Sequence, residues 1–261
     1  MNVLSLDLDF FMHGRATNRP DSFKSRPDEH GITPWRKDVV VNFLTDVLNV
    51  QTPRPGRVVR SHHEVFYAWR DAIKRKSLEP PFFVCHVDAH ADLGLGTPSW
   101  VYLHSDFLEL SLARRMRPRR GIKGLNFASF MPYAIGNRWV ERIDFVTSED
   151  WRDDIPRYLL RDEPFTGTTE FYRPGVELTI ELMHAPRAKI DENLSTGGDF
   201  IEYRTCINEP AVPFCILDGR NIGERYAAMD WDFIFLSHSP GYVPTSGDFL
   251  LKVISPYIVP F

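Results

Sequence analysis

Acids and histidines follow one another at the end of an apolar segment of the chain. The stretch "PPFFVCHVDAHAD", residues 80–92, passes from aromatic and aliphatic side chains into Asp88, His90 and Asp92. An ionised carboxylate is costly to bury unless it is paired or binds a metal ion. Side chains alternate along a strand, so His86, Asp88 and His90 share one side of it. The spacing therefore predicts a metal site where this strand ends.

Two other segments carry residues that could complete the site. "SLDLDFF" places Asp7 and Asp9 two positions apart at the end of an apolar run, and "RSHHEVF" places His62 and His63 between a short strand and a helix. With either histidine, the set is four carboxylates and two imidazoles. Such a carboxylate-rich set favours Mn²⁺ over Zn²⁺, and six ligands exceed the four of a tetrahedral zinc site. We therefore expect two Mn²⁺ ions per chain, bridged by carboxylates.

The elements that must position these residues alternate along the chain. Short apolar strands alternate with helical patterns, which predicts one α/β domain over residues 1–261, with a mainly parallel sheet covered by helices on both faces. Ligands of such sheets gather at the carboxyl ends of the strands. We expect a long loop over 13–36, a chain break at "TPRPG" and one helix over "SDFLELSLARRM", whereas residues 150–200 are hard to assign.

Composition limits the class of protein. The chain has 261 residues, 43% of them hydrophobic and 25% charged, and a net charge of −4, which argues against general nucleic-acid binding. Its three cysteines form no CxxC pair, so we expect no disulfide scaffold and a reducing cytoplasm. We expect no membrane association, because no apolar run approaches the ~20 residues of a membrane span and the first residues do not resemble a signal peptide.

These motifs resemble those of the arginase/deacetylase superfamily. "VDAHAD" is similar to the ureohydrolase motif, and "LSLDLDFF" resembles the S-x-D-x-D strand of the superfamily. Together with "SHHEV" and the late "LSHSPGYVP", they resemble the peptide arginases. The resemblance implies a three-layer arginase-like fold and manganese-dependent hydrolysis of arginine side chains in a ribosomally made precursor peptide, which yields ornithine and urea.

The order of the motifs differs from that of arginases, in which the D-x-D strand follows the "DAHAD" strand. Here "LDLDFF" comes first, so the resemblance implies a D-x-D strand permuted to the N-terminus. The alternative is "AMDWDF", with Asp230 and Asp232. The resemblance also favours His62 over His63, because the histidine of the family precedes one residue and then Glu. The implied ligands of one ion are His62, Asp88, Asp92 and Asp7, and those of the other are His90, Asp88, Asp7 and Asp9.

Further residues are candidates for the reaction itself. Glu64 could orient the guanidinium group or simply begin a helix, and His104 and His238 are candidates for the proton shuttle. His86 is expected to orient a metal ligand.

The loop after "DAHAD" suggests how the substrate is bound. This loop carries Trp100 and Tyr102 and few polar groups, which suits a peptide backbone better than free arginine, although both rings could fill the core. Tyr242 in "SPGYVP" could also contact the peptide backbone.

One segment of the chain is a strongly basic run. It is either a solvated face or a surface that attracts an acidic leader peptide. Its basic residues are Arg114, Arg115, Arg117, Arg119, Arg120 and Lys123.

Two other functions are possible for the same motifs. One is a deacetylase-like zinc amidohydrolase with one metal ion, and the other is a metal-binding module without catalytic activity.

Overall fold

A central sheet organises the protein in a computed structural model that describes residues 1–16, 26–161, 171–196 and 209–261. The strands are β1 (Asn2–Asp7), β2 (Met12–His13), β3 (Thr33–Pro34), β4 (Arg54–Val59), β5 (Phe82–Asp88), β6 (Val140–Thr147), β7 (Glu177–Ile180), β8 (Val212–Asp218), β9 (Phe233–Ser237) and β10 (Ile258–Pro260). Within the described ranges, eight strands form one sheet in the order β10-β4-β9-β1-β5-β6-β8-β7. Its neighbours are parallel except for the β7–β8 pair. β2 and β3 form a separate antiparallel pair.

The central strands are apolar because they are covered on both faces, as parallel strands usually are. All seven residues of β5, "FFVCHVD", are buried, and so are the last five residues of β1. In the parallel register, Leu4 of β1 lies beside Cys85 of β5 and Ile234 of β9. The chain therefore places β1 between β9 and β5, in the middle of the sheet.

Helices and π-helical turns cover the sheet. They are α1 (Lys37–Asn42) with the π turn Phe43–Val47, α2 (Glu64–Lys74), α3 (Thr97–Val101) with the π turn Tyr102–Phe107, α4 (Leu112–Arg115), α5 (Phe130–Gly136), α6 (Arg187–Thr196) and α7 (Phe249–Ile254). In α2 the buried residues recur at helical spacing, which gives the helix one apolar side toward the sheet.

Two hydrophobic cores lie against the sheet. Val3, Val84 and Phe235 point into one core, which also holds buried residues of α2, α3 and α5. Leu4, Cys85 and other alternate residues of the same strands belong to the second core, with buried residues of α1 and α7. Helices therefore flank the sheet, as an α/β fold requires, and the arrangement is consistent with the predicted three layers.

Three local expectations are wrong. "TPRPG" does not break the chain, because β4 begins at Arg54 and runs through Gly56. A Cβ atom at Gly56 would lie 1.7 Å from the carbonyl oxygen of Ile234, so this strand position needs glycine. "SDFLELSLARRM" is not one helix, since an extended Ser111 separates the π turn from α4. The segment 13–36 is not wholly loop, because it contains β3, although residues 17–25 lie outside the described ranges.

Among the described residues, no helix combines the length and the apolarity that a bilayer crossing needs.

Candidate metal centre

The predicted ligands come together at the carboxyl edge of the sheet. Asp7 is the last residue of β1 and Asp88 the last of β5, and these strands are neighbours. His62 lies between β4 and α2. The alternative pair lies at the opposite edge, because the carboxylate of Asp232 accepts a hydrogen bond from the backbone N–H of Asn2, where β1 begins. The fold therefore brings Asp7, and not Asp232, to the "DAHAD" loop.

A first donor group surrounds the ring of His62. Its Nδ1 atom lies 2.7 Å from Oδ2 of Asp88 and 2.9 Å from Oδ2 of Asp92. His86 Nε2 lies 3.5 Å from the same oxygen of Asp88. All four residues are buried, and they offer ligand atoms within 4.8 Å of one another. A single cation could contact them together.

A second donor group lies on the other side of Asp88. His90 Nδ1 is 2.9 Å from Oδ2 of Asp9 and 3.7 Å from Oδ1 of Asp88. These three residues also offer ligand atoms within 4.8 Å of one another. Asp88 thus belongs to both groups, and its two oxygens face different imidazoles. This is the geometry that a carboxylate bridging two cations requires.

Asp7 lies beside the first group without belonging to either. Its Oδ2 is 3.2 Å from Nδ1 of His62. However, Oδ1 accepts a hydrogen bond from the backbone N–H of Asp9, and Oδ2 accepts one from the hydroxyl of Ser239. The structure therefore places Asp7 within reach of an ion held by His62, with both oxygens already accepting hydrogen bonds.

The cluster buries several carboxyl groups close together, and this raises the pKa of three of them. Burial, and then the charges of Asp9 and Asp88, raise the pKa of Asp7 to about 7. Burial, with the charges of Asp9 and Asp92, raises the pKa of Asp88 to about 7 as well. Burial likewise raises the pKa of Asp92 to about 6, despite the opposing attraction of His62. Each of these carboxyls is therefore costly to ionise in the metal-free protein.

The imidazoles respond to the acids in the opposite direction. Burial alone would lower the pKa of His62 and of His90, but neighbouring carboxylates hold both pKa values well above the usual range. Burial also opposes ionisation of Asp9, yet His90 brings the pKa of Asp9 down to about 2. His86 differs, since burial and the neighbouring His62 lower its pKa well below the usual value. His86 is thus a neutral imidazole, which is the form that binds metals.

The donor set fits metal ions. One nitrogen, Nδ1 of His62, faces three buried carboxylate oxygens, at 2.7 Å from Asp88, 2.9 Å from Asp92 and 3.2 Å from Asp7. A single N–H group cannot satisfy all three, and buried polar atoms are nearly always satisfied, so these oxygens call for a cation. Nε2 of His62 lies 2.9 Å from the hydroxyl of Ser5, which leaves Nδ1 to face the acids. Carboxylates and imidazoles without thiolates suit Mn²⁺ and similar divalent ions.

Two residues of the site have unusual backbone angles. Asp92 has φ of +51° and Ser239 has φ of +46°, in the left-handed region that non-glycine residues rarely adopt. Both side chains are buried against the cluster, where Asp92 meets His62 and Ser239 meets Asp7. Such conformations concentrate at functional sites, where the surrounding structure holds them in place.

The predicted catalytic residues lie outside the cluster. Glu64 accepts hydrogen bonds from the backbone N–H groups of Arg60 and Ser61, so it fixes the turn before α2 that carries His62. His238 follows β9 at the correct edge of the sheet, but its Nε2 lies 2.7 Å from Asp248. His104 is buried, and its Nδ1 lies 2.5 Å from the carbonyl oxygen of Met183.

Three further residues that the sequence suggested, His63, Trp100 and Tyr102, lie outside the two donor groups. The Nδ1 atom of His63 lies 3.0 Å from the hydroxyl of Ser61. Trp100 and Tyr102 do not line a rim, because they are 3% and 5% exposed and belong to the first core.

Other residues at the site were missed or only partly anticipated. The half-buried ring of Tyr242 lies 4.8 Å from the ring of His90 and 6.1 Å from that of Phe127. Tyr242, in the "SPGYVP" loop, therefore contacts the site where Trp100 and Tyr102 were expected, and Phe127 lies beside Tyr242. Ser5 occupies the serine position of the S-x-D-x-D motif, but no role was predicted for it. Ser239 was not predicted, because a single hydroxyl carries no spacing pattern.

Comparisons with known proteins do not place the chain. No family model matches it, and no curated protein matches it either.

Proposed function

We propose that this protein is a metal-dependent hydrolase of the arginase type, which converts arginine side chains within a ribosomally made precursor peptide to ornithine and releases urea. The observation that carries the proposal is Asp88, a buried carboxylate that is shared by two donor groups. The sequence motifs that resemble peptide arginases supply the choice of substrate. In the same proposal the fold is arginase-like, with the D-x-D strand permuted to the N-terminus, and the position of β1 between β9 and β5 supports this.

The residues of the two groups would hold two Mn²⁺ ions. His62, Asp88 and Asp92 would bind one ion with Asp7 beside them, and Asp9, Asp88 and His90 would bind the other. His86 is close enough to Asp88 to join the first set or to orient that carboxylate. When bound, such a pair of ions makes water nucleophilic at neutral pH.

Water is the only co-reactant that the hydrolysis needs. Water adds to the central carbon of the guanidinium group, and the bond from this carbon to the side-chain nitrogen breaks. That nitrogen takes a proton and leaves as the ornithine amine, and the carbon departs as urea. The substrate is cationic, so the excess of acids attracts it to the site. His238 is the better candidate for the proton donor, since it lies at the carboxyl edge of β9, whereas His104 packs on Trp100 in the core.

The experiment is mass spectrometry of an arginine-containing peptide incubated with the protein and Mn²⁺. Each hydrolysed arginine loses about 42 Da, the mass of CN₂H₂, through the metal-hydroxide chemistry proposed above. Urea from free arginine at a matched concentration gives the substrate preference. If a peptide with homoarginine in place of arginine lost the same mass to the same extent, a site built for the arginine side chain would be contradicted. If no peptide released urea, the proposal would be rejected.

A single-zinc hydrolase of the deacetylase type is the second candidate. His62, Asp88 and Asp92 alone provide one histidine and two aspartates around one position. Metal analysis separates the two candidates, since the first predicts two Mn²⁺ per chain and the second one Zn²⁺. Full metal loading without hydrolysis of the arginine peptide or of free arginine would favour a metal-binding module without catalytic activity.

A further inference from the structure

The cations of the basic run have different surroundings in the structure: one is buried, one is exposed and paired with a carboxylate, and four are exposed without such a pair in the described ranges. Arg115 is buried, where its guanidinium lies 2.8 Å from Glu209 and donates to the carbonyl oxygen of Gly136. Arg119 pairs with Asp106 at 3.1 Å. The other four cations are exposed and form no ion pair with a carboxylate of the described ranges; they are Arg114, Arg117, Arg120 and Lys123. In a chain with a net charge of −4, this is a local excess of positive charge.

Residues 114–123, which we name the basic loop, are held in a fixed shape. The backbone N–H of Leu125 donates to the carbonyl oxygen of Arg119, and that of Gly121 donates to the carbonyl oxygen of Leu125. The hydroxyl of Ser99 donates to the carbonyl oxygen of Gly124. At its tip Ile122 is 80% exposed. A preorganised loop loses little conformational entropy when it binds a partner.

The basic loop lies beside the metal centre. Arg120 stacks on the ring of Tyr67 in α2 at 4.2 Å, and Arg70 stacks on the same ring at 5.0 Å. Tyr67 lies in the first turn of α2, about one helical turn after His63. Because His63 adjoins His62, the positive surface begins next to a residue of the metal centre.

We propose that the basic loop binds an acidic segment of the same polypeptide whose arginine is hydrolysed, an inference that rests on the proposed function. The four unpaired cations supply the charge complementarity, and Ile122 supplies an apolar contact between them. A peptide fits better than a nucleic acid, because the basic loop has no aromatic ring on which a base could stack and the neighbouring ring of Tyr67 already contacts two guanidinium groups.

The test measures binding and hydrolysis of fluorescein-labelled peptides that have one arginine and a neighbouring run of glutamates. A second peptide has glutamines in the run, and a third keeps the glutamates but has glutamine in place of the arginine. The loop variant carries glutamine at all four positions, and a further variant keeps Arg120 because of its contact with Tyr67. The control variant removes four exposed lysines that lie outside the basic loop and form no ion pair with a described carboxylate, so its net charge equals that of the loop variant; it is Lys37→Gln, Lys74→Gln, Lys76→Gln and Lys252→Gln.

We expect the glutamate peptide to bind the metal-loaded protein about tenfold more tightly than the glutamine peptide at low salt, as four surface charge pairs would give. The loop variants should lose most of this preference and the control variant almost none. Equal weakening by the loop and control variants would overturn the proposal. It would also be overturned if single-stranded DNA of equal charge bound through the loop as tightly as the peptide.

Failure of the two proposals can be told apart. If no peptide releases urea but the arginine-free glutamate peptide binds through the loop, the proposed function fails while the surface is supported. If both arginine peptides release urea with equal kcat/KM in the native protein and the loop variants, the reaction is supported and the surface is rejected.

Discussion

Asp88→Asn should make the metal-free protein more stable and the metal-loaded protein less stable. Asp88 is 1% exposed and lies between the two imidazoles and two other acids of the cluster. Burial and the acids raise its pKa from 3.8 to about 7. Its negative charge is therefore unfavourable in the folded, metal-free protein and favourable once cations are bound.

The size of the effect follows from the pKa. Below pH ~4 the Asp88 carboxyl is protonated in both the folded and the unfolded chain, so its ionisation does not affect stability. Between pH ~4 and ~7 only the unfolded chain releases the proton, so the free energy of unfolding falls as the pH rises. Above pH 7 the full penalty is about 4 kcal/mol. Because neighbouring acids titrate in the same range, we expect about 2 kcal/mol from removing Asp88 alone.

Urea denaturation at pH 5 and pH 8, with and without Mn²⁺, measures this crossover. At 100 times its Kd each Mn²⁺ ion would stabilise the native protein by about 3 kcal/mol, and Asp88→Asn should lose most of that gain. Asp46→Asn, at an exposed position outside the cluster, is the control and should leave the pH dependence unchanged. An Asp88→Asn protein that is less stable than the native protein at pH 8 without metal, or that binds two Mn²⁺ normally, would refute the reasoning.

Three further outcomes are expected. His62→Asn should weaken Mn²⁺ binding by at least about 100-fold in calorimetry and His63→Asn by less than about twofold, and equal losses would contradict the assignment. Asp9→Asn should lower the pKa of His90 toward its usual value, as followed by NMR titration, because Asp9 is its nearest acid; an unchanged pKa would remove the second donor group. Mn²⁺ affinity should fall as the pH drops from 8 to 6, because three acids with pKa values of about 6 to 7 then take up protons; a flat profile would contradict those values.

The cluster could be predicted from the sequence because most of its residues are recognisable from short segments of the chain. Parity along a strand and the convergence of parallel strand ends suffice to bring Asp88 and His90 to one edge. The pairing of β1 with β5 is long-range, and no local pattern indicates it. The choice of Asp7 and Asp9 over Asp230 and Asp232 rests on motif resemblance and not on periodicity. The choice of His62 over His63 had the same origin, since neighbouring histidines at a helix start have no distinguishing pattern of their own.

The errors arose where long-range packing decides the structure. Trp100 and Tyr102 follow a loop rich in glycine, which suggested an exposed rim, but α3 and the π turn after it place the two rings in the core. "TPRPG" has the composition of a turn, yet β9 and β10 pair on either side of it and make it a strand. Local composition could not indicate that these partners exist.

The protein buries carboxylates in two different ways within one sheet. Asp144 of β6 is 2% exposed, and the guanidinium groups of Arg142 and Arg225 bind it together with the hydroxyl of Tyr226. No described lysine or arginine forms an ion pair with the four acids of the cluster, whose partners are imidazoles, hydroxyls and backbone N–H groups. A guanidinium would neutralise a buried acid permanently, whereas these acids stay available to a cation. The contrast with Asp144 shows that no described guanidinium or ammonium group balances the charge of the cluster, so metal ions could balance it, at a cost to the stability of the metal-free fold.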